Sequence, residues 1–133
     1  MFCFDTDVMS ATVRSGGGPP QLARRLAVVP AAMQFTTSVT VGELLYGARK
    51  RQSRRLEDDI DGLVAEIQVV PFDEPAARSY AEIRVALEAA GRPLEDPDLR
   101  IAAICLAHDL TLVTGNVRHF ERVPGLSVEN WLA

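Results

Sequence analysis

Leu110-Thr111-Leu112-Val113-Thr114-Gly115-Asn116-Val117-Arg118-His119-Phe120 reads as a short strand, a Gly-Asn turn and a helical turn. Working back from it, Asp96-Pro97-Asp98 supplies an N-cap acid, a proline at the first helical position and an acid in the first turn, ahead of the apolar run Ile101 to Ala107. That helix is expected to be buried. Working forward, Leu126 to Glu129 makes a last strand before Trp131. Helix, strand, helical turn and strand in this order are the parts of a parallel sheet, whose neighbouring strands cannot be joined by a tight hairpin.

The same alternation runs through the rest of the chain. Phe2-Cys3-Phe4 is a short apolar strand ending at Asp5, and Val8 to Arg14 predicts a helix broken by the flexible loop Ser15-Gly16-Gly17-Gly18-Pro19-Pro20. Gln21 to Val29 predicts a second helix up to Pro30, and Gln34 to Val39 a strand leading into Thr40. Thr40-Val41-Gly42-Glu43 has the spacing of a capping box at the start of a third helix. A charged helix from Arg54 to Glu66 carries Leu56, Ile60, Leu63, Val64 and Ile67 on one stripe, and Gln68 to Phe72 is the next strand. Asp73-Glu74-Pro75 opens a helix with an Ala76, Tyr80, Ile83, Leu87 and Ala90 face, closed by Gly91. The expectation is one α/β domain over residues 1–133, with a central, mainly parallel sheet flanked by helices.

Composition agrees with an ordinary globular chain: 47% hydrophobic and 24% charged residues exclude disorder and coiled coil. The longest uncharged stretch, Leu26 to Gly42, is interrupted by Pro30 and Gln34 and is too short for a membrane span. The N-terminus meets Asp5 at once and lacks a basic segment, unlike a signal peptide, so a cytoplasmic protein is expected. Cys3 and Cys105 lie in apolar runs without metal-ligand spacing and read as core residues. The net charge of -4 is unusual for a nucleic-acid binder. It suits one only if acids gather around cations while the arginines line a separate face.

The acids are placed for that. Asp5 follows the first strand, Glu43 and Asp98 sit in first helical turns, and Asn116 follows the Leu110 to Thr114 strand. Ligands of open parallel sheets bind beyond the carboxyl ends of the strands, where such junctions collect. Three carboxylates and an amide oxygen make a partial cage for Mg2+ or Mn2+, which prefer oxygen donors and keep several waters. Structural roles stay open for most of these acids and the amide: Glu43 can close its capping box, Asp98, like its neighbour Asp96, can serve the helix dipole, and Asn116 can cap the following turn. Asp5 is harder to explain that way, because a carboxylate beside a buried strand must be paired or bind metal.

Taken together these motifs resemble the VapC-type branch of the PIN-domain family. Phe4-Asp5-Thr6-Asp7-Val8 resembles the family's opening Asp-Thr-Asn/Asp motif, Thr40-Val41-Gly42-Glu43-Leu44 its Thr-x-x-Glu-Leu segment, and Asp98-Leu99-Arg100-Ile101-Ala102-Ala103 its Asp-x-x-Ile-Ala-Ala helix. Leu110 to Phe120 is the most specific match, and the ordered set covers nearly the whole chain. The resemblance implies a toxin of a type II toxin–antitoxin pair, a Mg2+- or Mn2+-dependent endoribonuclease that cleaves RNA phosphodiester bonds with metal-activated water. It also implies homodimerisation and inhibition by a small VapB-like antitoxin. Carried over, it makes Asp5, Glu43, Asp98 and Asn116 the catalytic set, with Asp5 and Asp98 holding metal. Thr6 and Thr114 become site-ordering hydroxyls and Asp96 a supporting acid. Asp7 stands where asparagine is commoner, and Asn116 where many relatives carry a fourth acid.

Arg100 and Arg118 lie near the acids and are candidate RNA contacts. Arg49-Lys50-Arg51 with Arg54-Arg55 can track phosphates, although Arg54 to Asp58 and Arg55 to Asp59 have the spacing of helix-surface ion pairs. His119 reads as a structural residue of a short turn. Two rivals are weighed against the nuclease. A haloacid-dehalogenase-like phosphatase would also use Asp5-Thr6-Asp7, but Val8 replaces its usual glycine and the only lysine is Lys50. A catalytically silent PIN module for RNA or protein binding would not need Asp5, Glu43 and Asp98 together.

Overall fold

The computed structural model describes residues 1–14 and 17–133, so Ser15 and Gly16 of the glycine-proline loop lie outside the described residues. The chain runs β1 (Phe2–Phe4), α1 (Thr6–Val13), α2 (Pro20–Val28), a 3-10 turn (Ala31–Met33) and β2 (Gln34–Thr37). It continues through α3 (Ser38–Lys50), α4 (Arg54–Val64), β3 (Gln68–Val70), α5 (Glu74–Ala89) and α6 (Asp96–Ala107). It closes with β4 (Thr111–Val113), α7 (Val117–Phe120) and β5 (Val128–Glu129). The sheet order is β3-β2-β1-β4-β5, with every neighbouring pair parallel. From β1 the chain builds outward to β2 and β3, then returns to the other side of β1 for β4 and β5. A crevice therefore opens beyond the carboxyl ends of β1 and β4, the switch point of the sheet.

Alternation along the strands divides the core between two faces. Cys3 and Leu112 point toward α5 and α6, packing with Ile83, Leu87, Leu99 and Ile101. Phe4 and Val113 point the other way, toward Val8, Met9, Leu22, Leu44, Ile60 and Trp131. Burial on both faces explains why these strands are apolar runs. Both cysteines are free and buried. No helix among the described residues is long and apolar enough to cross a membrane.

The element order follows the sequence reading, but several ends move. β2 stops at Thr37, whose hydroxyl oxygen accepts the Thr40 amide at 3.1 Å and caps α3. Thr40 is thus inside the helix, and Glu43 belongs to its second turn. The expected capping box does not form. Glu95, not Asp96, holds the N-cap position of α6, without a side-chain capping bond. At α5, by contrast, Asp73 caps as its sequence implies, accepting the Ala76 amide at 3.0 Å. That helix ends at Gly91 with φ +69°, a backbone conformation most side chains avoid.

Candidate active site

Asp5 occupies the junction between β1 and α1. Its Oδ1 accepts the Thr6 amide at 2.8 Å and its Oδ2 the Thr114 hydroxyl at 2.7 Å, which ties the end of β1 to the end of β4. The residue is only 6% exposed, and no lysine, arginine or histidine among the described residues pairs with it. Burial therefore pushes its pKa up to about 6; the bonds from Thr114 and Thr6 oppose the rise, while the charges of Asp7 and Asp98 add to it.

Glu43 reaches the same crevice from α3. Its Oε1 accepts the Thr6 hydroxyl at 2.7 Å. The Thr6 and Thr40 hydroxyl oxygens lie 3.2 Å apart, and those of Thr40 and Thr37 3.3 Å apart. A hydroxyl has one proton to give, so Thr6, spending its own on Glu43, can receive one from Thr40, and Thr40 one from Thr37. This chain of hydroxyls steers Glu43 from two elements at once.

Asp98, in the first turn of α6, is half-buried. Burial and then Glu43 hold its carboxyl above the usual range; His119 pulls it down, and Glu95 and Asp7 push it up. In the sequence Asp7 stands as a departure from the family pattern and as an acid of the rival phosphatase reading; its charge acts on both Asp5 and Asp98. Its Oδ2 accepts the Gly115 amide at 2.8 Å. A Cβ on Gly115 would stand 2.8 Å from that oxygen and 3.0 Å from Leu132 Cδ1, so a larger residue in the turn after β4 would push the ends of both side chains aside.

Asn116 sits beside this group without joining it directly. Its amide nitrogen approaches His119 Nδ1 at 2.6 Å, and its backbone N–H donates to the Thr114 hydroxyl at 3.0 Å. It takes the N-cap position of α7, but its side chain makes no capping bond. His119, read from sequence as structural, acts on Asp98, opposing the rise of its pKa. Asp96 is bound to the Tyr80 hydroxyl at 2.5 Å and to Arg100 Nε at 2.6 Å, and these two bonds, Tyr80 first, lower its pKa. Arg100 also lies 5.0 Å over the Phe72 ring and 5.6 Å over Tyr80. It is anchored, though it still lines the open cleft in front of Glu43. Arg118 is exposed on α7. Of the two ion pairs expected on α4, Arg54 meets Asp58 at 4.0 Å, whereas Arg55 to Asp59 does not form among the described residues.

The donor set suits a hard divalent cation. Asp5, Asp7, Glu43 and Asp98 concentrate negative charge with no paired lysine or arginine among the described residues, while most ion-paired carboxylates lie on the outer helices. Among the described residues no three His, Cys, Asp or Glu side chains converge closely enough to grip an ion by themselves. Mg2+ does not ask for that: it is commonly held by one or two carboxylates and keeps water on its remaining positions. The oxygen-donor chemistry of this acidic set fits a hydrated ion of that kind.

A family model described as PIN domain matches residues 2–126. The tRNA(fMet)-specific endonuclease VapC of Shigella flexneri is 36% identical over 131 residues, covering 98% of this chain and 97% of the relative. The structure of DNA-bound VapBC from Salmonella typhimurium superposes with a TM-score of 0.90 at 30% identity, over 98% of this chain and 97% of the other. The structure of VapBC2 from Rickettsia felis bound to a promoter DNA fragment superposes with a TM-score of 0.89 at 26% identity, over 98% of each chain.

Proposed function

The chain belongs to the PIN-domain family, and from that premise we propose that it is a VapC-type toxin of a type II toxin–antitoxin pair, an endoribonuclease acting on RNA through its acidic crevice. The observation that carries this reading is that Asp5, Glu43 and Asp98 stand on three separate elements around one crevice, near enough for their charges to act on one another, with no lysine or arginine paired to them among the described residues. We propose residues 1–133 as one nuclease domain.

In this reading Asp5 and Asp98 hold a divalent cation, Mg2+ or Mn2+. Such an ion, when bound, neutralises phosphate charge, acidifies water and stabilises a leaving oxygen. The chain's own residues do the rest. Thr114 and the Thr6 amide fix the Asp5 carboxylate in one orientation, so it presents the same lone pairs in every molecule. Glu43, accepting from Thr6 on one oxygen, keeps the other available to orient the attacking water and to take its proton. Asp7 braces the β4–α7 turn through Gly115. His119, with Asn116 against its Nδ1, stands at the rim, where it can meet a phosphate oxygen.

RNA entry leaves the acids open to an inhibitor of the opposite charge, and an arginine-bearing VapB-like antitoxin suits that cleft. Homodimerisation and a cytoplasmic place of action belong to the same proposal. The test is cleavage by the purified chain, freed of any co-purifying partner. It should cut a structured RNA, tRNA first in view of the Shigella relative's name, with Mg2+ or Mn2+ and stop in chelator. Equal cleavage in chelator would overturn the metal mechanism. A short protein from the adjacent gene should bind and silence it; a complex that stays fully active is not a toxin–antitoxin pair of this kind.

A further inference from the structure

One face of α3 borders two open clefts. Glu43, Tyr46 and Lys50 recur at three- and four-residue steps and so share a stripe. Tyr46 is 67% exposed, an unusual position for an aromatic ring. The Lys50 ammonium lies 5.9 Å from the ring centre. An open cleft of about 600 Å3 joins Thr6, Gly42, Glu43 and Tyr46 to Arg100. A second, of about 630 Å3, continues from Gly42 and Tyr46 to Arg49 and Lys50. Gly42 is common to both. A Cβ there would meet nothing within 4 Å, so this helical glycine, which weakens the helix relative to alanine, has no packing reason inside the chain.

We propose that Tyr46 and Lys50, over the Gly42 floor, form a subsite for one unpaired nucleobase and its phosphate next to the bond to be cut. The proposal rests on the nuclease reading and names which part of the substrate must be single-stranded. Three observations carry it. The ring is exposed and amphipathic, the residue type on which unpaired bases stack irrespective of sequence. Glu43 and Lys50 are seven residues apart, so at 1.5 Å per residue the acid and the cation are separated by roughly 10 Å along the helix. Charge changes sign along that lane: acids at the crevice end, then Lys50 and Arg51 at the other, neither of them ion-paired among the described residues, while Arg49 is bound to Glu57 at 3.1 Å. A polyanion can place its scissile phosphate at the metal end and a neighbouring phosphate on Lys50. A second copy of the chain seated on this face would cover the cleft onto which Glu43 opens.

The experiment is equilibrium binding of the full-length chain, in chelator so that nothing is cut, to a short unpaired RNA of mixed sequence and to the same RNA annealed to its complement. Tyr46→Ala should weaken unpaired-RNA binding about tenfold and Tyr46→Phe by no more than about twofold, since stacking needs the ring and not the hydroxyl. Lys50→Gln should lower the slope of log affinity against log salt by about 0.7. Gly42→Leu should raise the melting temperature yet weaken binding about as much as Tyr46→Ala does. Equal losses for Tyr46→Ala and Tyr46→Phe, or equal losses for single-stranded and duplex RNA, overturn the subsite. So does a Tyr46→Ala chain that changes its oligomeric mass while its RNA affinity holds, which makes the face a contact between copies. Wild-type binding that ignores all four variants removes the subsite and leaves the nuclease; a wild-type chain that neither binds nor cuts RNA removes both.

Discussion

Asp5 and Asp73 are the same residue type in the same local role, the N-cap of a helix that follows a strand, yet their carboxylates are driven in opposite directions. Asp73 is partly exposed, accepts the Ala76 amide and meets His108 Nε2 at 2.8 Å; the backbone bond first, and then His108, holds its pKa below the ordinary value. Asp5 also accepts an amide and a side-chain proton, but it is buried and faces Asp7 and Asp98 instead of a cation, and its pKa rises to about 6. Capping geometry is satisfied in both. What separates Asp73 from the proposed site acid Asp5 is the missing counter-charge, and hydrogen bonding alone does not reveal it.

The strongest way to break this contrast is Asp5→Asn. Cleavage should fall by more than about a hundredfold, beyond the usual loss for a residue that only supports a metal ligand. The metal-free protein should nevertheless become more stable at pH 7. A folded pKa of about 6 against an ordinary 3.8 means that the folded chain binds the proton more tightly than the unfolded one. Ionised Asp5 therefore destabilises the metal-free fold above pH 6, and stability returns as pH falls from about 6 toward 3.8. Two pKa units correspond to about 3 kcal/mol as an upper bound, readable by urea denaturation in chelator at pH 7 and pH 5. An Asn variant that is less stable at pH 7 would mean that Asp5 is paired after all.

Thr6→Val comes next. It removes the Glu43 anchor while leaving the Thr6 amide on Asp5, so Mn2+ affinity by calorimetry, or cleavage, should drop about tenfold without unfolding. An unchanged rate would free Glu43 from any need for positioning.

For Asp73→Asn the expected pattern is reversed from Asp5→Asn. Cleavage is kept and the melting temperature falls at neutral pH. The difference from wild type should fade as pH drops below the ordinary carboxylate value and through the lower folded one, because a depressed pKa gives stability only while the group is ionised. A pH-independent difference would assign the effect to packing.

The smallest effect is expected at Asn116. Its amide is engaged with His119 Nδ1, so Asn116→Asp should add a charge that His119 partly absorbs, strengthening Mn2+ binding by less than about tenfold by calorimetry. Unchanged affinity and unchanged cleavage in a folded variant would leave Asn116 as a residue of the turn alone.

Fold and site were legible in the sequence to different depths. β1, α5 and α6 stand out because apolar runs and proline or acidic starts agree with one another, and the parallel order follows from alternation. Ends were lost where one local rule has several takers: Thr37, Ser38 and Thr40 are all good N-caps, and Thr37 wins because β2 pairing ends there. The same happens at Glu95 and Asp96, since Asp96 is drawn to Tyr80 across sixteen residues. Asp5 was visible as a charge beside a buried strand. Asp7 and His119 were not, because Asp7 meets the Gly115 turn and His119 acts on Asp98 only across long stretches of chain, with no periodicity to read. The Asp-x-Asp spacing was the one available signal for Asp7.

Gly115 carries no functional group, yet a single added methyl there meets Asp7 on one side and Leu132 on the other. In a survey of every single replacement in this chain, scored by whether cells expressing it survive, bulky residues at this position should lower toxicity by pushing Asp7 away from its place in the crevice. A toxin defused in that way keeps all of its charged groups and would serve as a harmless stand-in for raising antibodies or capturing the antitoxin.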